Sequence, residues 1–289
     1  MDYSFAVFVD GSANLPQEML DGIRLIPNEY TLDGVPQAYL GDVDNFDGHA
    51  FYEDLRNGKV AATSLINSHS FETNFRPALD EGIDIIYICM SSGISGTYNA
   101  AKIAAEELME EYNDRFIHIV DSHGCGFGNG LLAERAVKLA KEGVDAKKAA
   151  GILDEDVPHM CQYFTVDDLN FLKRTGRVSG VASEIGTVLN IKPILFGDST
   201  GHIINCAKVR GRSQSIKSLA RYYAEKKMDI KDQHVCISHG DCRNDADTLV
   251  GLIREIDPDV PITVSQHEPF SGAHVGPGML GLFFYGKER

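Results

Sequence analysis

Residues 85–108 read IIYICMSSGISGTYNAAKIAAEEL. The run Ile85–Met90 is apolar without alternation, as in a strand covered on both faces. From Thr97 onward the apolar positions 100, 101, 104, 105 and 108 follow helical spacing. Between them lies a short join that holds Ser91, Ser92, Ser95 and Thr97 with Gly93 and Gly96. A buried strand running straight into an amphipathic helix is half of a βαβ unit, and it predicts an α/β fold.

The same rhythm extends outward. FAVFVD (5–10) and RFIHIVDS (115–122) read as further buried strands, and SFETNFRPALDEG (70–82) and GNGLLAERAVKLAKEG (128–143) as helices, the last closed by Gly143. After residue 155 the pattern restarts. CQYFTV (161–166) is a strand, DDLNFLKRTG (167–176) a short helix, and 190–211 two strands about a Gly/Asp/Ser turn. A helix at 212–227, a strand at 234–241, a helix at 244–256 and strands at 261–266 and 279–286 complete a second unit. The expected architecture is two α/β domains, residues 1–155 and 156–289, with mainly parallel sheets.

Composition narrows the function. The chain has 289 residues, 43% of them hydrophobic and 24% charged, with a net charge of −15. Such a balance disfavours a broad nucleic-acid surface, which needs clustered Lys and Arg, and an anionic membrane surface. No apolar run is long enough for a membrane span, so no stable membrane insertion is expected. The start lacks the basic flank and long apolar stretch of a secretory signal. The six cysteines show no disulfide spacing, which points to a cytoplasmic protein. Glycines 124, 126, 128 and 130 miss the dinucleotide-binding spacing, and no phosphate-binding P-loop string occurs; no cofactor is expected.

Ligands of open α/β sheets sit at the carboxyl ends of strands, where the join 91–97 falls. The first N–H groups of a helix lack partners within it, and the helix dipole adds partial positive charge there. With glycines for close approach and hydroxyls as uncharged donors, the join is a candidate anion cup, although Ser and Thr cap helices for structural reasons too. Thr63-Ser64 lies in a second turn before a helix. His274 lies in a glycine- and proline-rich loop with Gly272, Gly276, Pro277 and Gly278.

These segments together resemble the DegV family of bacterial proteins, in order along nearly the whole chain. The family's opening Asp-Ser-x-x-Asp-Leu-Pro stands here as Asp10-Gly11-Ser12-Ala13-Asn14-Leu15-Pro16. Its Thr-Ser pair is Thr63-Ser64, its Ser-Ser-x-Leu-Ser-Gly-Thr-Tyr segment is Ser91 to Tyr98, and its Asp-Ser is Asp121-Ser122. DDLNFLKRTGRVSG (167–180), LNIKPIL (189–195), KVRG (208–211) and the His-x-Gly-Pro-Gly loop (274–278) also match. Gly11 stands for the usual Ser, Asn14 for the usual Asp, and Leu65-Ile66 for a common Gln-Pro.

The resemblance implies a long-chain fatty acid bound in a tunnel between the two domains, with Thr63, Ser95 and His274 at the carboxylate and Ser92 and the Gly96 amide as further contacts. It also implies a separate ATP-binding subunit of a fatty acid kinase as partner, acting in phospholipid metabolism. Arg177 and Arg210, together with the basic Lys173 and Arg174, would contact the phosphate or that subunit. The chain itself would catalyse nothing. The energetics agree: fourteen buried methylenes at ~0.8 kcal/mol each give roughly 11 kcal/mol, against an association cost of about 4–15 kcal/mol. The tail supplies affinity, and neutral donors fix the head.

Two rival readings stand beside this one. Gly93-Ile94-Ser95-Gly96-Thr97 nearly matches the nucleophile elbow of serine hydrolases, with His274 late in the chain; Ser95 would then attack acyl esters. Cys236, His239 and Cys242 are metal-ligand types at spacings of three, but on a strand Cys236 and His239 face opposite sides, so no metal is expected.

Overall fold

The computed structural model describes residues 3–178 and 190–289; Ser179, Gly180 and Leu189, the ends of two segments quoted above, lie outside them. The first part of the chain runs β1 (Ala6–Asp10), β2 (Ile23–Ile26), β3 (Asn28–Leu32), β4 (Val35–Tyr39), α1 (Gly48–Arg56), β5 (Ala61–Thr63), α2 (Ser68–Asp80), β6 (Ile85–Cys89), α3 (Thr97–Glu111), β7 (Ile117–Asp121), α4 (Phe127–Lys141) and α5 (Ala146–Asp156). Then follow β8 (Met160–Thr165), α6 (Asn170–Arg174), β9 (Ile191–Gly197), β10 (Ile203–Arg210), α7 (Arg212–Lys226), β11 (Val235–His239), α8 (Arg243–Ile256), β12 (Ile262–Gln266), α9 (Pro269–Val275) and β13 (Leu280–Tyr285).

Strands β2-β1-β6-β7 form a fully parallel sheet. Side chains alternate along a strand, and both faces are covered. Phe5, Val7, Val9, Ile86, Ile88 and Val120 pack on α4 and α5. Ala6, Phe8, Ile85, Tyr87, Cys89, Ile117 and Ile119 pack on α2 and α3. Double covering explains why β6 reads as an uninterrupted apolar run.

The second sheet, β10-β9-β8-β13-β11-β12, corrects the expectation of mainly parallel sheets. Only β11 and β12 run parallel; the other four pairings are antiparallel. The α/β class holds, but β9 and β10 return on themselves through a short turn instead of a crossover helix, so they cannot be parallel. One face of this sheet takes α7 and α8. The other reaches α4, where Phe283 and Cys236 join Phe127 and Leu131 in one core. Helix α4 is thus wedged between the two sheets. Phe127–Ala133 is buried throughout, as expected of a helix covered on all sides.

A third, antiparallel sheet, β4-β3-β5, comes from a region without a periodic signal in the sequence. It packs with α1 against α9, through Tyr30, Phe51, Tyr52, Phe270 and Ala273.

Candidate functional site

A cavity of about 460 Å³ opens where these sheets meet. Thr63, Ser92, Ser95, Gly96, Arg177 and His274 all line it. Three further elements of the chain supply apolar lining, Phe164, Leu172 and Ile203, with Val275 at the end of α9 and Met279 beyond it.

The join 91–97 is bolted down before it reaches any ligand. Ser91 is fully buried, and its hydroxyl donates to the Gly201 carbonyl at 2.8 Å, on the β9–β10 turn, while accepting from Gly93 N–H at 3.0 Å. The Ser92 N–H donates to Asp121 at 3.1 Å, the Ile94 and Ser95 amides to the Ser91 carbonyl, and the Thr97 N–H to Ser95 Oγ. The expected cup of helix N-terminal amides is therefore largely used internally. Among the described residues only the Gly96 N–H of the stretch 92–97 has no protein acceptor. Ser95 is half-buried and its hydroxyl donates to Thr97 Oγ1 at 2.9 Å. Ser92 is exposed.

Two placements differ from expectation. Thr63 is the last residue of strand β5, not part of a turn, and is held opposite Tyr30. His274 lies in the last turn of α9, not in a loop. Glu268 and Pro269 start the helix: the Glu268 carboxylate accepts from Phe270 N–H and Ser271 N–H, and Pro269 takes the first helical position, which its fixed φ favours. The helix ends at Gly276, whose φ of +74° suits glycine and whose Cα lies under the Phe171 ring, leaving no room for a Cβ.

His274 Nε2 lies 2.9 Å from Thr63 Oγ1, while its Nδ1 is buried without a partner. Burial, then Arg177 and Arg174, push its pKa down to about 4, so the ring is neutral near pH 7. With Nε2–H donating to Thr63, the threonine hydroxyl proton is free for an anion in the cavity. No hydrogen bond joins Ser95 to His274 among the described residues, so the nucleophile–base pair of the hydrolase reading is not formed.

Of the basic residues, Arg177 is half-buried at the cavity wall and donates to the Thr175 carbonyl at 2.5 Å. Lys173 and Arg174 face outward from α6 and line a separate surface depression with Lys59, Asp168 and Asn170. Arg210 is exposed at the end of β10 and lines neither space. Among the described residues no cluster of His, Cys, Asp and Glu is placed to hold a metal, and no helix is long and apolar enough to cross a membrane.

The unusual residues at the opening motif have local causes. A Cβ on Gly11 would lie 2.7 Å from the Tyr39 ring, so the family's usual Ser does not fit beside this tyrosine. Asn14 adopts φ +57°, which asparagine tolerates, and its Oδ1 accepts from Glu268 N–H at 2.7 Å. Leu65 is exposed at the cavity rim and Ile66 is buried against α2.

Sequence reasoning missed a second polar group in the same cavity. His267 is 1% exposed, with Nδ1 2.9 Å from Ser238 Oγ and Nε2 2.8 Å from Ser271 Oγ; the Ser271 hydroxyl donates to the buried Glu268. His267 and Ser271 both line the cavity. The visible signal was the string His267-Glu268-Pro269 ahead of Ser271, a helix start beside a polar side chain.

Comparison with known proteins places this architecture. Residues 4–287 match the family described as "Uncharacterised protein, DegV family". A DegV domain-containing protein of Clostridium perfringens is 37% identical over 99% of this chain and 98% of its own length. Among solved structures, DegV of Bacillus subtilis, called a fatty acid binding protein, superposes with a TM-score of 0.83 at 26% identity, covering 99% of this chain and 100% of that one. A DegV lipid binding protein of Thermotoga maritima gives a TM-score of 0.85 at 25% identity, with 99% of each chain covered. With a match from one end of the described fold to the other, this chain belongs to the DegV family.

Proposed function

We infer that the chain binds a long-chain fatty acid in the cavity between its sheets and presents the carboxylate to a separate ATP-dependent kinase subunit, which forms the acyl phosphate. The observation that carries this reading is one cavity lined both by neutral hydrogen-bonding side chains, Thr63, His274 and Ser95, and by apolar ones, Phe164, Leu172, Val275 and Met279. The fatty acid binding protein of Bacillus and the lipid binding protein of Thermotoga support it.

The chemistry fits the parts. Charge-assisted hydrogen bonds of about 1.5–3 kcal/mol each position a carboxylate without a tight ion pair, so its oxygen stays available to attack. Phosphoryl transfer depends on in-line placement and on neutralising the transferred charge, which the nucleotide-binding partner supplies. Arg177 at the wall, with Lys173 and Arg174 on the adjoining surface, is where we put contact with the phosphate or the partner; Arg210 would take part from the sheet edge.

Native mass spectrometry of the purified protein tests the first half. A co-purifying fatty-acid mass should be present and should be lost in Thr63→Val/Ser95→Ala; a bare wild-type protein that also refuses added palmitate sinks the reading. For the second half, acyl phosphate formed with ATP and a kinase subunit is trapped with hydroxylamine. Charge reversal at Lys173, Arg174 and Arg177 should abolish it while leaving the bound lipid in place.

A further inference from the structure

One wall of the cavity is not suited to a plain hydrocarbon. Gln162, on β8 opposite Phe283, is 8% exposed and lines the cavity. Its Oε1 accepts from Cys125 N–H at 3.0 Å, which fixes the amide orientation, because the flipped amide would set N–H against N–H. Its Nε2 then has no acceptor among the described residues. The amide lies directly over the backbone of Gly124 and Gly128, where a Cβ would come within 1.8 Å and 2.4 Å of it. Those glycines leave room for the amide and give it nothing to bind. Around it the cavity is also lined by Cys125, His267 and Ser271, and the Cys125 thiol lies against the Ser271 hydroxyl. Ser271 stands three residues before His274 on α9, about 4.5 Å along the axis, so this polar wall is set off from the Thr63–His274 pair.

A buried donor without a partner is costly, and a site holding one discriminates strongly in favour of a ligand that supplies the acceptor. We propose that this wall is a second polar subsite, and that the preferred ligand is an acyl chain bearing a hydroxyl whose oxygen accepts from the Gln162 amide. The proposal rests on the fatty-acid reading and deepens it: the carboxylate stays at Thr63 and His274, and the hydroxyl is read farther along the chain.

The test is competition binding on delipidated full-length protein, with stearic acid and a series of hydroxystearic acids that differ only in hydroxyl position. One positional isomer should bind about tenfold more tightly than stearic acid, the size of effect expected for one well-placed hydrogen bond. In Gln162→Met that preference should fall to about one. Gln162→Leu, which likewise has no polar group for the hydroxyl, serves if the Met variant does not fold, and should also lose the preference. If stearic acid binds and no isomer binds better, or if the preference survives in the folded variant, the subsite is wrong and the fatty-acid reading stands. If no acid of either kind binds, both readings fall together.

Discussion

His267 and His274 stand at the two ends of α9, line the same cavity, and are both held neutral by burial, with pKa values pushed down to about 3 and about 4. Their surroundings differ in one respect. His267 has a partner at each nitrogen, Ser238 and Ser271, and the chain of bonds ends at Glu268, which caps the helix. His274 has Thr63 on one nitrogen and nothing on the other. A histidine with both valences spent holds the wall in place. A histidine with capacity left, next to a hydroxyl that can turn its proton toward the cavity, is equipped to meet a ligand. Motif resemblance points to His274 alone, and its unpartnered nitrogen beside Thr63 supports that proposal.

The largest expected effect separates the two on stability. His267→Ala removes a fully enclosed ring and strands the hydroxyls of Ser238 and Ser271, so it should cost about 2–4 kcal/mol, read as a lower urea midpoint. His274→Ala, at a half-buried position with one hydrogen bond, should stay within about 1 kcal/mol of wild type yet weaken palmitate binding by about tenfold or more. The reverse pattern, a fragile His274 variant that still binds, would break the distinction between a wall residue and a ligand residue.

pH sharpens it. Both histidines have folded pKa values below the usual 6.5, so the unfolded chain binds more protons between about 4 and 6.5 and stability must rise with pH across that window. Glu268 works in the opposite direction. Burial, partly offset by bonds from Ser271 and the Phe270 and Ser271 amides, raises its pKa to about 7, so the folded state binds the extra proton between about 4.5 and 7 and stability falls with rising pH there. Two groups oppose one, and denaturation midpoints should climb from pH 4 to 6.5 and then decline slightly toward pH 7.5. In His274→Gln the climb should be shallower while the later decline remains, because Glu268 belongs to the other histidine's network.

How much of this could be read in the chain depends on the range of each interaction. The β6–α3 unit is legible because an unbroken apolar run and helical spacing are local signals, and the match from Asp10 to Gly278 points to Thr63, Ser95 and His274, which line one cavity. The roles within the join were not. Ser91 looks like its neighbours in sequence, but it is consumed by Gly201, far along the chain, and Ser92 N–H by Asp121. The antiparallel course of β9 and β10 rests on a tight turn whose Gly/Asp/Ser composition is visible in the sequence, while the strand direction follows only from the absence of a crossover helix. The hairpin β3–β4 carries Pro36, and its edge strand is mostly exposed, so it left no hydrophobic period. Gln162 looked like one polar residue in an apolar strand; only the glycines packed above it show that its amide is unanswered.

The smallest effect concerns Asn14. The family's usual Asp at this position would keep the acceptor for Glu268 N–H and remove the Asn14 Nδ2, which is buried without a partner. It would also add a carboxylate beside Glu268, whose proton is already favoured by nearby Asp10. A second anion holds the Glu268 proton more firmly, so in Asn14→Asp the decline of stability should extend above pH 7. The Thr63–His274 pair shares no hydrogen bond with Asn14, and palmitate affinity should change by less than about twofold. An unchanged pH profile in this variant, with altered affinity instead, would mean that the two histidine networks are one, and that the contrast between a spent ring and an open one does not govern the cavity.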